Sequence, residues 1–360
     1  MIEKIKKQIE KNLEDFLNKT NKDYGIDSIN ADLSKHIKEF CLRKGKRIRP
    51  TLLILSFKGY QPANKRTPPS IYYASTCIEL LHLFMLIHDD IIDNSDLRRG
   101  KPTMHKLLNK IVASPDPETL GSNLSIIAGD IVYAFAIDAF LSIKVDPEYR
   151  QRALKYFVQT AAFTAMGEFI DTLHGIEKLS KVKIKDAFLN YTLKTARYTF
   201  DCPLVIGAML AGADKAEIKK LSNCALHVGQ AFQIQDDIIG IFDSEKNIGK
   251  SLLSDIEENK KTLLVCHAYE TLKGAGKKYF ENLFNKKKKT YKDLIAIRKC
   301  FIQSGTLAYC LKEIQQRCKK ADKILSKIQM RDPYKTIIES TFQDIFKTSK
   351  RIAKENNLKF

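Results

Sequence analysis

The stretch HDDIIDNSDLRRG, His88 to Gly100, sets Asp89, Asp90 and Asp93 within five residues at the end of a long apolar run. At helical spacing Asp89 and Asp93 are i, i+4 and share a face, with Asp90 flanking them. Three carboxylates so close repel one another unless cations sit between them. Hard oxygen ligands of this kind favour Mg²⁺, which one or two carboxylates usually hold together with substrate phosphates. Arg98 and Arg99 follow at once, and guanidinium forks suit bidentate phosphate contacts. A second acidic pair, Asp236-Asp237 in GQAFQIQDDIIG, again ends an apolar helical run, with Gln233 one turn before Asp236. Gly249-Lys250 and SDIEENKKT follow, the latter with Asp255, Lys260 and Lys261. The acidic-then-basic pattern thus occurs twice, 147 positions apart. Two carboxylate clusters rimmed by Lys and Arg make a site for several divalent cations and a polyphosphate.

Long helices must carry these groups. Loop punctuation is sparse: QPANKRTPP (61–69), RRGKPT (99–104), ASPDPE (113–118) and DSEKNIGKS (243–251) are the clear breaks. Between them the apolar spacing predicts helices over Pro69–Asp93, Glu118–Ile143, Tyr149–His174, Ala213–Ile241, Thr306–Met330 and Tyr334–Lys354. No βαβ alternation and no internal repeat occurs. With 16 Gly and 10 Pro among 360 residues, a many-turned β architecture is excluded. The expected fold is all-α, a single-domain bundle of roughly a dozen helices over residues 1–360. Within it, the chemistry-bearing part is about 40–265 and a basic helical part is 266–360.

Composition narrows the function. At 44% hydrophobic and 29% charged, the chain has a full core and is not a disordered protein. The net charge of +19 is uneven, since residues 261–360 hold 24 basic and 9 acidic side chains, a net +15. The Lys286–Lys289 run reads as a solvated loop, and no nucleic-acid-binding module accompanies the charge, so nucleic acid is not an expected partner. Eight Cys without a C-x-x-C pair are expected as reduced thiols. MIEKIKKQIEKN lacks the apolar core of a secretory leader, and Leu124–Ile143 is interrupted by Asp130 and Asp138. The expectation is a soluble, cytoplasmic protein.

The motifs together resemble the trans-isoprenyl diphosphate (polyprenyl) synthase family, through most of residues 40–265 and in that family's order. GKRIRP (45–50) is similar to its GKxxRP, DDIIDNSDLRRG to its first aspartate-rich motif, and AGD (128–130) to a further landmark. GEFID (167–171) resembles GQxxD, KTA (194–196) the KT motif, and QIQDD with GK and DIEENKKT the second aspartate-rich region. The chain departs from the commoner pattern at Gly240, where many members carry a third aspartate, and at Glu168, where Gln is common.

The resemblance implies a bundle around a deep apolar cavity, working as a homodimer with the 118–143 helix as a plausible seam. It implies three Mg²⁺, with Mn²⁺ able to substitute. Asp89 and Asp93 would hold two ions, with Asp90 behind them, and Asp236 would hold the third. Arg98, Lys194 and Lys250 would contact the allylic diphosphate. Lys46, Arg49, His82 and Arg99 would bind isopentenyl diphosphate, with Lys260 at the rim. Thr195 and Gln233 would face the developing carbocation, and Asp171 would join the polar lining. His88 is expected as a packed or hydrogen-bonded neighbour, because Mg²⁺ disfavours imidazole.

Phe84 and Met85 stand five and four residues before Asp89, ~6–7.5 Å below it at ~1.5 Å per residue. An aromatic at the fifth position commonly acts in the family as the floor that stops elongation. The uninserted DDIID with Phe84 alone is most similar to archaeal-type synthases making the C20 geranylgeranyl chain, with C15 farnesyl as the alternative. A terpene cyclase of related fold would lack the isopentenyl diphosphate residues, and a non-catalytic partner subunit of a heteromeric synthase would lack the aspartate motifs; both sets are present here. The basic tail suggests weak association with anionic membrane, into which a greasy product partitions.

Overall fold

The structure, a computed structural model, describes residues 1–111, 113–243, 254–358 and 360. Among these it has eighteen α-helical segments, one π-helix and a two-stranded hairpin. The expected all-α fold is present. Half of the excess over a dozen helices comes from three pieces of four or five residues, Ile26–Ile29, Met104–Leu108 and Ser254–Glu257. The chain divides into two compact units: residues 1–154 with 206–212, and residues 155–205 with 213–360.

In the first unit α1 (Ile2–Tyr24), α2 (Ile26–Ile29), α3 (Ala31–Cys41) and α4 (Ile48–Tyr60) lead to α5 (Ile71–Ile92). α4 is buried on nearly every face through Leu52, Leu53, Ile54 and Leu55, each stabilising the fold by ~1.5–3 kcal/mol on burial. α5 packs against α1, α4 and α7 (Pro117–Leu141), and the short α6 (Met104–Leu108) lies on α7. The ASPDPE break works as read. Asp116 caps α7 by accepting from Thr119 N at 3.2 Å, and Pro117 occupies the first turn. The RRG segment was not foreseen as a hairpin. Leu97 pairs with Pro102 and Arg98 with Lys101, around a turn at Arg99 (φ 56°) and Gly100 (φ 73°). Positive φ at both central residues is what a two-residue hairpin requires.

α8 (Pro147–Ile176) begins in the first unit and continues into the second. There α9 (Ile184–Asn190) leads into the π-helix Tyr191–Asp201; α10 (Cys202–Leu210) passes from the second unit into the first at Ile206, and α11 (Lys215–Phe242) belongs to the second. α11 packs against the π-helix and against the helix Thr306–Leu325. Asp214 caps α11, accepting from Glu217 N at 2.8 Å.

Two tail expectations need correction. The run Tyr334–Lys354 is two helices, Tyr334–Ile345 and Lys347–Glu355, broken at the buried Phe346. The backbone groups freed there are met by Gln235, which donates to Ile345 O at 2.7 Å and accepts from Ser349 N at 3.3 Å. The Lys286–Lys289 run is not wholly solvated: Lys289 is buried and donates to Asn259 Oδ1 at 2.9 Å.

α5 and α7 are both long and apolar enough to cross a membrane by composition. α5 is mostly buried, whereas α7 leaves Ile126, Ile127 and Leu141 exposed.

Candidate active site

In the first unit, Asp89, Asp90 and Asp93 close the last turn of α5, with Asp93 as the C-cap. A helix C-terminus carries partial negative charge, so each carboxylate there opposes the dipole by ~0.3–1 kcal/mol. Asp89 and Asp93 are partly exposed, while Asp90 is fully buried and paired with Arg98. Arg98 Nε donates to Asp90 Oδ1 at 2.7 Å, and its Nη2 also reaches Asp89 Oδ2 at 3.4 Å. Burial lifts the Asp90 carboxyl to about 6 even though Arg98 opposes the shift, and Asp90 Oδ2 has no hydrogen-bond partner. Divalent cations at Asp89 and Asp93 would relieve this repulsion.

A cationic recess lies on the same unit. His82 is held well below the usual imidazole range, first by burial, then by Arg49, Arg99, Arg98 and Arg47 around it. Four guanidiniums about a neutral imidazole, with the exposed Lys46 beside them in sequence, suit a diphosphate. Sequence reasoning missed two parts of this recess. Arg47, in a left-handed conformation (φ 49°), is buried and pairs with buried Glu79. Arg99 Nη2 lies 4.0 Å from the same carboxylate, and its Nη1 donates to Arg43 O at 3.0 Å. An acidic residue inside an apolar helix, one turn before His82, was the signal that could have revealed the pair.

His88 is a packed neighbour: Nε2 lies 3.1 Å from Ile126 O, within hydrogen-bond distance. Phe84 packs on His88 and on Tyr133 of α7, with ring centroids 4.7 and 4.9 Å apart respectively. Met85, next along α5, is half-buried.

In the second unit, Asp236 is exposed in the closing turns of α11, while Asp237 is buried. Gln233 Nε2 donates to Asp237 Oδ1 at 2.9 Å, and Thr195 Oγ1 donates to Gln233 Oε1 at 2.6 Å. Lys194 Nζ sits 2.8 Å from both Glu168 Oε2 and Asp171 Oδ2 of α8. Glu168 therefore acts here as a lysine partner, and Asn190 Nδ2 donates to Asp171 Oδ1 at 2.8 Å. Lys260 pairs with Glu258 at 2.5 Å. Lys261 is not a rim cation: it is buried and donates to Gly175 O at 2.8 Å. Lys250, and the side chain of Asp255, lie outside the described residues.

Among the described residues, no three His, Cys, Asp or Glu side chains gather as a closed metal site. Mg²⁺ keeps waters and takes substrate phosphates alongside one or two carboxylates. The donors available, Asp89, Asp93 and Asp236, are all carboxylate oxygens reached by solvent, so they fit such an ion.

The comparisons with known proteins agree with this chemistry. Residues 30–301 match the family model described as polyprenyl synthetase. The chain is similar to a short chain isoprenyl diphosphate synthase of Methanocaldococcus jannaschii, 32% identical over 302 residues and 83% of each chain. It is also similar to a geranylgeranyl diphosphate synthase of Sulfolobus acidocaldarius, 32% identical over 70% of this chain and 71% of that one. Among solved structures, it resembles a geranylgeranyl pyrophosphate synthase of Corynebacterium glutamicum complexed with isoprenyl diphosphate and magnesium. That likeness has a TM-score of 0.85 at 25% identity, over 94% of this chain and 98% of the other. The chain belongs to the polyprenyl synthetase family.

Proposed function

We propose that this protein is a Mg²⁺-dependent trans-prenyltransferase that joins isopentenyl diphosphate head-to-tail to an allylic diphosphate, up to the C20 geranylgeranyl chain. The observation that carries the reading is the pair of carboxylate clusters: Asp89, Asp90 and Asp93 at the C-terminal end of α5, where the dipole disfavours them and Arg98 pairs with Asp89 and Asp90, and Asp236 with Asp237 in the closing turns of α11. The proposal requires both clusters to act on one pair of substrates, the 360 residues working as one catalytic domain.

In the reaction the allylic C1–O bond breaks and its electron pair leaves with the diphosphate. The isopentenyl double bond attacks C1, and a proton is lost from the new unit to the departed diphosphate. Asp89, Asp93 and Asp236 would hold three Mg²⁺ or substituting Mn²⁺, which supply neutralising charge to the leaving diphosphate. Arg98, oriented by Asp90, and Lys194, oriented by Glu168 and Asp171, bind that diphosphate from the protein side. Lys250 and Lys260 join them. Lys46, Arg49, His82 and Arg99 hold the diphosphate of isopentenyl diphosphate. Thr195 and Gln233 turn oxygen lone pairs toward the cation, and apolar side chains exclude the water that would quench it. Phe84, packed on Tyr133, forms the floor that stops the chain, with Met85 beside it.

The test is direct. With Mg²⁺, isopentenyl diphosphate and each allylic primer, C20 should dominate; C15 or C25 would overturn the length assignment, and no prenyl product would overturn the reading.

The same reading makes the protein a cytoplasmic homodimer. It is supported by eight free thiols and by exposed apolar faces on α7 (Ile126, Ile127) and α8 (Phe163, Met166, Phe169). Light scattering at the 41.1 kDa of one chain would contradict the dimer. The +15 tail favours weak binding to anionic lipid, and vesicle co-sedimentation that ignores lipid charge and salt would contradict that.

A further inference from the structure

Within the second unit, a chain of hydrogen bonds ends at Thr195, and its direction is fixed at Asp237, a carboxylate that accepts from both sides and that Tyr191 holds in place. The backbone N–H of Leu263 can only donate, and it donates to Tyr191 Oη at 2.7 Å. The Tyr191 hydroxyl proton must therefore point elsewhere, and its partner is Asp237 Oδ2. A carboxylate only accepts, so the Gln233 atom 2.9 Å from Asp237 Oδ1 is the amide nitrogen. That leaves the Gln233 oxygen facing Thr195, whose hydroxyl donates to it at 2.6 Å. With its one proton committed, Thr195 Oγ1 offers only lone pairs in its remaining directions.

The packing holds the chain in place. Tyr191 and Asp237 are buried, and burial followed by the neighbouring Asp237 charge keeps the phenol neutral and able to donate. α11 approaches the π-helix so closely that a Cβ at Gly229 would lie 2.4 Å from Ala196 Cα, which sets Gln233, one turn on, against Thr195. Gln230 makes a second tie, donating to Thr192 Oγ1 at 2.8 Å, so the register of the two helices does not depend on Tyr191 alone.

We propose that Tyr191 and Asp237 are positioning residues for prenyl transfer: they orient Gln233, and through it the Thr195 proton, so that Thr195 presents an acceptor-only oxygen to developing positive charge. This rests on the reading of the protein as a prenyltransferase. A hydroxyl free to rotate would spend part of its time aiming its proton at the cation, which repels it. An oriented dipole needs no reorganisation when charge appears.

The experiment is a double-mutant cycle in the full chain, with Tyr191→Phe introduced into the wild type, Thr195→Ser and Thr195→Val. Steady-state kinetics are read with Mg²⁺, isopentenyl diphosphate and dimethylallyl diphosphate. Tyr191→Phe should lower kcat about ten-fold in the wild type and in Thr195→Ser, the order of one hydrogen bond to a charged group, with both KM values unchanged. In Thr195→Val, which has no proton to orient, it should cost less than about two-fold. The same factor in all three backgrounds, or an effect confined to KM, overturns the relay while leaving the prenyltransferase reading intact. Absence of turnover in the wild type overturns both. If circular dichroism finds Tyr191→Phe unfolded, Asp237→Asn in the same backgrounds should give the same pattern, and equal factors there overturn the relay.

Discussion

Replacing Glu79 by Gln removes the carboxylate that balances Arg47 and lies near Arg99, without opening a cavity. Glu79 is 2% exposed and Arg47 3%, so water cannot take over the lost interaction. Breaking a buried ion pair from one side costs ~3–5 kcal/mol, because the buried charge is left poorly compensated, here only by the half-exposed Glu10 3.9 Å from Arg47 Nε. For a chain of 360 residues, an unfolding entropy of ~2.1 cal/mol/K per residue converts that loss to a fall in Tm of roughly 4–7 °C. Function should suffer selectively. Arg47 anchors the turn between Lys46 and Arg49, and Arg99 shares the same carboxylate. KM for isopentenyl diphosphate should therefore rise about ten-fold while KM for the allylic primer changes little. Scanning calorimetry and initial-rate kinetics read the two effects. The double variant Glu79→Leu with Arg47→Met should recover most of the stability but not the KM, since apolar replacement of both partners removes the buried charge. A Glu79→Gln protein with unchanged Tm and unchanged KM would refute the reasoning.

Phe84→Ala should open the floor below Asp89 and shift products to longer chains; a folded variant that stops at the wild-type length would remove Phe84 as the ruler. Arg49→Ala should raise KM for isopentenyl diphosphate far more than for the primer, and Lys194→Ala should do the reverse or lower kcat. Equal effects on both KM values would undo that division of labour. His82 is depressed below its ordinary 6.5, so on acidification the unfolded chain takes up a proton that the folded chain resists. Stability should therefore be full above about 6.5 and fall as pH drops below it, and His82→Gln should flatten that loss. Urea midpoints between pH 7.5 and 5.5 with identical slopes for both proteins would contradict it.

The aspartate motifs were legible because carboxylates crowded at the end of apolar helical runs repel one another, a repulsion that bound cations relieve. The loop break at ASPDPE was legible for the converse reason, since Asp116 and Pro117 obey local chemistry within a few residues. The Arg47–Glu79 pair was not, because its members stand 32 residues apart and meet only through packing. The π-helix bearing Lys194 and Thr195 also escaped notice. Its bonding register is set by the helices against it rather than by composition. The break at Phe346 carries no Gly or Pro, and its partner Gln235 lies 110 residues from Ile345. Glu168, given no role from sequence, is a partner of Lys194 that lies 26 residues away.

The central claim is that the two acidic clusters drive Mg²⁺-dependent prenyl transfer. The most direct measurement is kcat of Asp89→Ala and Asp236→Ala at saturating Mg²⁺ and substrates, with circular dichroism to establish the fold. Each variant loses a ligand for the ions that stabilise the leaving diphosphate, so kcat should fall by several orders of magnitude with helicity unchanged. Near-normal turnover in either folded variant would contradict the account.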